Sequence, residues 1–226
     1  MIDLHTHILP GMDDGSANVE ESTALLATLK GQGVDTLAAT SHFYADREDP
    51  DHFLCRREQA LASLYTDLQI LPGAEVAYFP GMHQSEALKD LCIGASQLLL
   101  VEMPFRIWSD RVIREVLAIR EQQGLQVVLA HVDRYRGREC MGRWAQTLLE
   151  EGVLFQVNAD ALLKTFGTGS LMAMVRSGNI HFLGSDCHNL TNRAPVIGAA
   201  VAKLSRKLGD EALQTLDAQA RELLKL

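Results

Sequence analysis

Met1-Ile-Asp-Leu-His-Thr-His-Ile-Leu-Pro-Gly-Met-Asp-Asp-Gly15 is the stretch that decides how this chain is read. Ile2, Leu4 and their neighbours alternate with Asp3, His5 and His7, and a period of two places the three polar side chains on one face of a β-strand. Neutral imidazole is the commonest protein ligand for a transition metal, and two side by side make half a coordination sphere. A bare His-x-His also fits a strand with two hydrogen-bonded histidines. The residues after His7 tip the balance. Pro10-Gly11 makes a turn, and Asp13-Asp14-Gly15 then brings hard carboxylate oxygens beside the imidazoles.

Working outward, the chain alternates apolar strands with helices. After a helix capped by Asn18 and Glu21, strands are expected at 34–40, 68–75, 97–102, 126–130, 153–158 and 180–184. Helices are expected at 51–64, 110–123, 139–151, 170–177, 195–208 and 210–224. Pro72-Gly73 dents the third strand. Such alternation with nearly continuous apolar strands indicates a parallel sheet. The polar candidates all stand at carboxyl ends of strands: His5 and His7 on the first, His42 on the second, Glu75 on the third. Glu102 ends the fourth, His131 follows the fifth, and Asp186 with His188 follow the seventh. An open sheet gathers its ligands at one switch point, whereas a parallel barrel draws them from all round. Six contributing strands therefore predict an α/β, TIM-like barrel with a metal cluster at the C-terminal ends of its strands.

Two hundred and twenty-six residues, 47% of them hydrophobic, suit one such domain over residues 1–226. The net charge of −8 argues against a nucleic-acid groove. No apolar run is long enough to span a membrane, the first residues do not read as a signal peptide, and no Cys-x-x-Cys pair occurs. A cytoplasmic protein without direct membrane insertion is expected.

With Asp14, the candidates comprise five histidines and four carboxylates. That number suits two or three ions with bridging carboxylates, and the mixed donor set suits Mn, Fe or Zn better than Mg or Ca. Clustered ions of this kind activate water near neutral pH and clamp a phosphoryl group for in-line displacement.

His5-Thr-His7, Asp14, Thr40-Ser-His42, Glu75, Glu102, Ala130-His131 and Ser185-Asp-Cys-His188 resemble the motif series of the PHP (polymerase and histidinol phosphatase) superfamily. More narrowly, MIDLHTHILPGMDDG, LPGAEV, VEMPF, AHVDRY, NADALL-x-TFG and GSDCHNLTNR are similar to bacterial manganese-dependent protein-tyrosine phosphatases encoded with capsule and exopolysaccharide genes. The resemblance runs along essentially the whole chain. It implies a distorted (β/α)7 barrel, three divalent ions (manganese, with iron or zinc as alternatives) and hydrolysis of phosphotyrosine on a protein, a cytoplasmic bacterial tyrosine kinase. It also selects Asp14 as the ligand and leaves Asp13 to the turn at Gly15. Asp3 is read as a hydrogen-bonding support of the histidines.

A guanidinium fork pairs bidentately with phosphate oxygens, and the resemblance carries that role to Arg134 and Arg193. His42 is the further catalytic candidate, and Phe105, Trp108 and Tyr135 are candidates to flank the substrate ring. The alternative substrate is a small phosphomonoester such as histidinol phosphate. An amidohydrolase reading is weaker, because that class wants a lysine where Glu102 stands. One motif is a trap: Cys187-x5-Arg193 has the spacing of cysteine-dependent tyrosine phosphatases. Its loop lacks glycine, however, and Cys187 is flanked by two metal candidates, so no thiol role is expected.

Overall fold

A computed structural model of the chain describes residues 1–136 and 140–226. It contains strands β1 (Ile2–Thr6), β2 (Thr36–Ala39), β3 (His42–Phe43), β4 (Gln69–Pro72), β5 (Glu75–Ala77), β6 (Leu98–Glu102), β7 (Gln126–Leu129), β8 (Leu154–Asn158) and β9 (Phe182–Gly184). Between them run helices α1 (Val19–Gly31), α2 (Pro50–Ala62), α3 (Asp110–Gln123), α4 (Val132–Arg136), α5 (Trp144–Glu150), α6 (Ala159–Leu163), α7 (Thr168–Arg176), α8 (Ile197–Leu208) and α9 (Asp210–Leu224). Asn18 caps α1 by accepting from the Glu21 N–H, while the Glu21 carboxylate accepts from Ala17 N. The short helices α4 and α6, each directly after a strand, have no counterpart among the expected helices. The helix anticipated at 139–151 begins at Trp144, and its first expected residue, Glu139, lies outside the described residues.

Every strand pairing is parallel. β1, β2 and β4 form one sheet, and β3, β5, β6, β7, β8 and β9 form a second. The expected strand at 68–75 is split, and the one at 34–40 is followed by a further short strand. Thr40-Ser41 separates β2 from β3, and Gly73-Ala74 separates β4 from β5, so each strand passes from one sheet into the other. The sheet curls until its edges meet. Thr6 bridges Cys187 in parallel, with His7 N donating to Cys187 O at 3.0 Å and Asp186 N donating to His5 O at 2.7 Å.

The core divides in two. Ile2, Leu4, Ala38, Leu71, Leu100, Val128, Leu154 and Phe182 pack inside the curl with Ala220 and Leu224 of α9. The larger cluster lies between sheet and helices. Helix α9 is tied beneath β1: Asp217 accepts from Ile2 N at 3.0 Å, and Arg221 Nη2 reaches both Asp35 oxygens at 2.7 and 2.9 Å.

One correction concerns β1. The pairing with β2 shifts register between Asp3 and Thr6, and such a bulge puts two successive residues on one side. Leu4 belongs to the inner cluster, and His5 follows it on the same side instead of continuing the alternation from Asp3. Asp3 accepts from the His5 amide at 3.3 Å and from the Ser185 amide at 2.8 Å, joining β1 to the loop after β9.

Away from the strand ends, α3 is pinned by Glu115, whose carboxylate accepts from Tyr78 Oη at 2.6 Å, Gly81 N at 3.0 Å and Arg111 Nε at 2.8 Å. The Tyr78 bond above all holds this carboxyl down to about 2. A folded pKa below the ordinary value of 4.5 stabilises the fold above pH 4.5, and that contribution is lost as pH falls towards 2. Glu115→Gln should therefore cost about 1–2 kcal/mol at pH 7. It should also flatten the difference from wild type across that acid window, measured by urea unfolding with chelator present.

Candidate metal centre

The expected ligands come together at the C-terminal ends of the strands. Glu75 sits at the middle, 1% exposed. Its Oε1 lies 2.8 Å from His131 Nε2, and its Oε2 lies 3.2 Å from His5 Nε2, 3.4 Å from His7 Nε2 and 2.9 Å from His42 Nδ1. Glu102 Oε1 is 3.3 Å from His131 Nε2. Asp186 Oδ1 is 3.7 Å from His5 Nε2, 3.4 Å from His7 Nε2 and 3.6 Å from His188 Nδ1. Asp14, at the solvent side, stands 3.6 Å from His42 and 3.4 Å from His188.

Among the described residues, three overlapping groups have candidate ligand atoms within 4.8 Å of one another: His7, Asp14, His42 and His188; His5, His7 and Glu75; and His42, Glu75 and Glu102. Each pair of groups shares one residue: His7, His42 or Glu75. The donor set fits divalent cations of the Mn, Fe and Zn type. Ring nitrogens turned into the cluster point the same way. His5 Nε2 and His7 Nε2 face each other at 3.1 Å, and buried His188 Nε2 has no hydrogen-bond partner among the described residues.

The electrostatics are those of a site that attracts cations. Burial alone would lower the His7 imidazole, but Asp13 and Glu75 outweigh it and lift it to about 10. His131 rises to about 9 against burial, through Glu102 and Glu75. Burial would raise the Glu75 and Asp186 carboxyls, yet His5 and the other neighbouring imidazoles hold both well below their usual range, with Arg134 acting further on Asp186. His188 goes the other way, lowered to about 4 by burial and then by His7 and Arg193.

The two arginines converge on one carboxylate. Arg134 Nη2 contacts Asp186 Oδ2, Arg193 Nη2 donates to Asp186 Oδ1 at 2.8 Å, and Arg193 Nη1 lies 3.7 Å from Asp14. They border a cavity of about 250 Å³ with Asn158 and Thr191.

Of the aromatic candidates, Phe105 is 41% exposed, and its ring lies 5.8 Å from that of His131 at 16°. Tyr135 does not serve as a substrate wall. It is fully buried, and its hydroxyl oxygen accepts from Met103 N at 2.8 Å. Trp108 is likewise buried and donates to Pro104 O. Cys187 is fully buried too, and burial pushes its thiol upward, the reverse of what a nucleophile needs.

Three supporting residues escape the sequence reading, and a fourth does more than it assigns. Gln156 Oε1 accepts from His131 N at 2.6 Å and from His5 Nδ1 at 3.2 Å, and its Nε2 donates to Asn158 Oδ1 at 3.0 Å. Asn158 Nδ2 in turn donates to Asp186 at 2.8 Å. A signal for this pair exists: glutamine and asparagine at alternate positions of the otherwise apolar strand Leu154-Phe-Gln-Val-Asn158. Strand β8 contributes no ligand and instead steadies those of its neighbours. Gly184 belongs with this set, since a Cβ there would meet Gln156 Nε2 at 2.5 Å and His5 Cβ at 2.6 Å.

Asp13 does more than serve the turn. Its Oδ1 accepts from Gly15 N at 2.9 Å, as expected, but Oδ2 accepts from His7 Nδ1 and from His42 N, both at 2.7 Å. A carboxylate behind a histidine fixes the ring's tautomer and raises its basicity toward a metal. Asp13→Asn should thus weaken metal affinity by about 10–100-fold, read by competition with a chromophoric chelator, while circular dichroism stays native.

Comparisons with known proteins place the chain in a family. Residues 1–225 match the family model for capsular polysaccharide synthesis proteins, CpsB/CapC. Tyrosine-protein phosphatase CpsB of Streptococcus pneumoniae is 31% identical, over 92% of this chain and 91% of its own length. Tyrosine-protein phosphatase YwqE of Bacillus subtilis is 28% identical, over 100% of this chain and 92% of its own. A structure from work on YwqE of Bacillus subtilis and CpsB of Streptococcus pneumoniae, described as unique metal-dependent tyrosine phosphatases, superposes with a TM-score of 0.87 at 27% identity, covering 100% of this chain and 94% of that one. The chain belongs to the CpsB/CapC family of capsular polysaccharide synthesis proteins.

Proposed function

We propose that this protein is a metal-dependent phosphomonoesterase that hydrolyses phosphotyrosine on proteins, in the cytoplasm, with a bacterial tyrosine kinase of capsule or exopolysaccharide synthesis as its target. One observation carries the reading: among the described residues three imidazole–carboxylate groups are linked pairwise through His7, His42 and Glu75, and two guanidinium groups meet at their edge on Asp186. The three groups support three ions, and their donors favour Mn²⁺. The meeting of β1 with the loop after β9 supports a closed, distorted (β/α)7 barrel formed by a single domain over residues 1–226.

In this reading His5, His7, Asp14, His42, Glu75, Glu102, His131, Asp186 and His188 hold the ions. When bound, the ions supply Lewis-acid polarisation of the phosphoryl oxygens and lower the pKa of attacking water. Arg134 and Arg193 bind the free phosphoryl oxygens and, because guanidinium stays charged at any working pH, neutralise the charge gathering there in the transition state. Each commits one Nη to Asp186, which fixes its direction before substrate arrives. Phe105, partly exposed beside His131, flanks the substrate ring. Tyrosine leaves as a phenolate whose conjugate acid has a pKa near 10, so a strong general acid is not required.

The test is turnover of a phosphotyrosine peptide with metal analysis alongside. EDTA should abolish activity, Mn²⁺ should restore it, and Cys187→Ala should keep most of it. An alanine variant that is dead with its metals in place, beside a wild type that survives chelation, would make the nucleophile a thiolate and overturn the mechanism. Separately, Arg134→Ala or Arg193→Ala should lower kcat/KM by about 2–4 kcal/mol with metal content intact. Near-native kinetics in either variant would remove that arginine from the site.

A further inference from the structure

Beyond His42 the cluster opens into a cleft of about 700 Å³ whose lining includes Asp14, Tyr44, Arg47, Glu48 and Arg56. The Tyr44 ring stands 5.3 Å from the His42 ring, so the cleft begins at the cluster itself. Most of its charged groups are already committed. Arg56 Nη1 donates to Glu48 at 2.7 Å, and its Nη2 donates to the carbonyls of Gly11 and Met12 at 3.0 and 2.7 Å. Glu48 also lies 2.9 Å from His52 Nδ1, and the Asp49 carboxylate caps the start of α2.

Arg47 differs from all of these. Its guanidinium lies over the Tyr44 ring, 4.2 Å from the centroid, and it has no ion pair among the described residues. Its backbone N–H donates to Tyr44 O at 2.9 Å, which fixes the turn that brings the two side chains together. Resting on an aromatic face orients a guanidinium while leaving its in-plane N–H donors open to a carboxylate. The cleft thus holds an oriented cation on the Tyr44 side of His42, apart from the two arginines gathered on Asp186.

We infer that this cleft receives the polypeptide flanking the phosphotyrosine, and that Arg47, braced by Tyr44, pairs with an aspartate or glutamate side chain of that segment. The inference rests on the phosphatase reading above and adds to it a preference for acidic target sites. Net charge makes the preference local. A chain carrying −8 offers an acidic segment no general attraction, so capture has to come from a placed guanidinium at short range. A carboxylate paired there slows release of the peptide, and the effect belongs to KM more than to kcat.

The experiment compares manganese-loaded protein on two phosphotyrosine peptides that differ only in their flanks, one with glutamates and one with lysines. Wild type should favour the glutamate peptide by about tenfold in kcat/KM, mostly through KM, and 0.5 M NaCl should shrink that ratio. Arg47→Gln should abolish the preference, Arg47→Glu should invert it, and Tyr44→Leu should weaken it while leaving Arg47 in place. Equal use of both peptides by wild type, or a ratio that Arg47→Glu does not move, overturns the subsite and leaves the phosphatase reading standing. A metal-loaded wild type that hydrolyses neither peptide overturns the phosphatase reading and this inference together.

Discussion

A carboxylate buried to 1% exposure is the constraint on which the rest of this structure depends. Removing an ionised Glu75 from water costs several kcal/mol unless charge and hydrogen bonds offset it. The chain surrounds it with imidazoles of His5, His7, His42 and His131, the nearest nitrogen at 2.8 Å. Without a cation, protons on His7 and His131 supply positive charge, which is why these two are held so far above the ordinary histidine value. Divalent ions provide the same charge more compactly, and binding them displaces protons. Stability of the strand ends and affinity for metal are consequences of the same enclosed negative charge.

Around that centre a layer of polar groups fixes directions. Asp13 sets His7, Gln156 sets His5 and the backbone of His131, and Asn158 sets Asp186. These hydrogen bonds limit each candidate ligand to one direction of approach, as metal sites generally require. The arginines use the same economy, since Asp186 orients both.

Much of this is legible in the sequence because its signals are local. Apolar strand runs, the Asn18–Glu21 cap and polar residues at strand ends each depend on a few neighbouring residues. What stays hidden depends on backbone irregularity. The bulge in β1 lets His5 follow Leu4 to the inside, and no residue between Asp3 and Thr6 announces it. His131 and Asp186 adopt left-handed backbone conformations, with φ of 31° and 52°, a state that non-glycine residues hold only when their surroundings enforce it. The breaks at Thr40-Ser41 and Gly73-Ala74 likewise end one pairing and start another just before His42 and Glu75. Tyr135 departs from expectation for a related reason: sequence places it in a strand-end loop, while α4 turns it inward to close over Met103.

The meeting of β1 with the loop after β9 has a further consequence for the order in which the protein comes into being. The first two histidines leave the ribosome some 180 residues before Asp186 and His188, the groups they will face. Until then β1, paired with β2 on one side, must carry its other edge unpaired, and closing so long a loop is entropically slow. The candidate group that includes His188 is therefore the last to be completed, whereas His5, His7 and Glu75, and His42, Glu75 and Glu102, all belong to the first half of the chain.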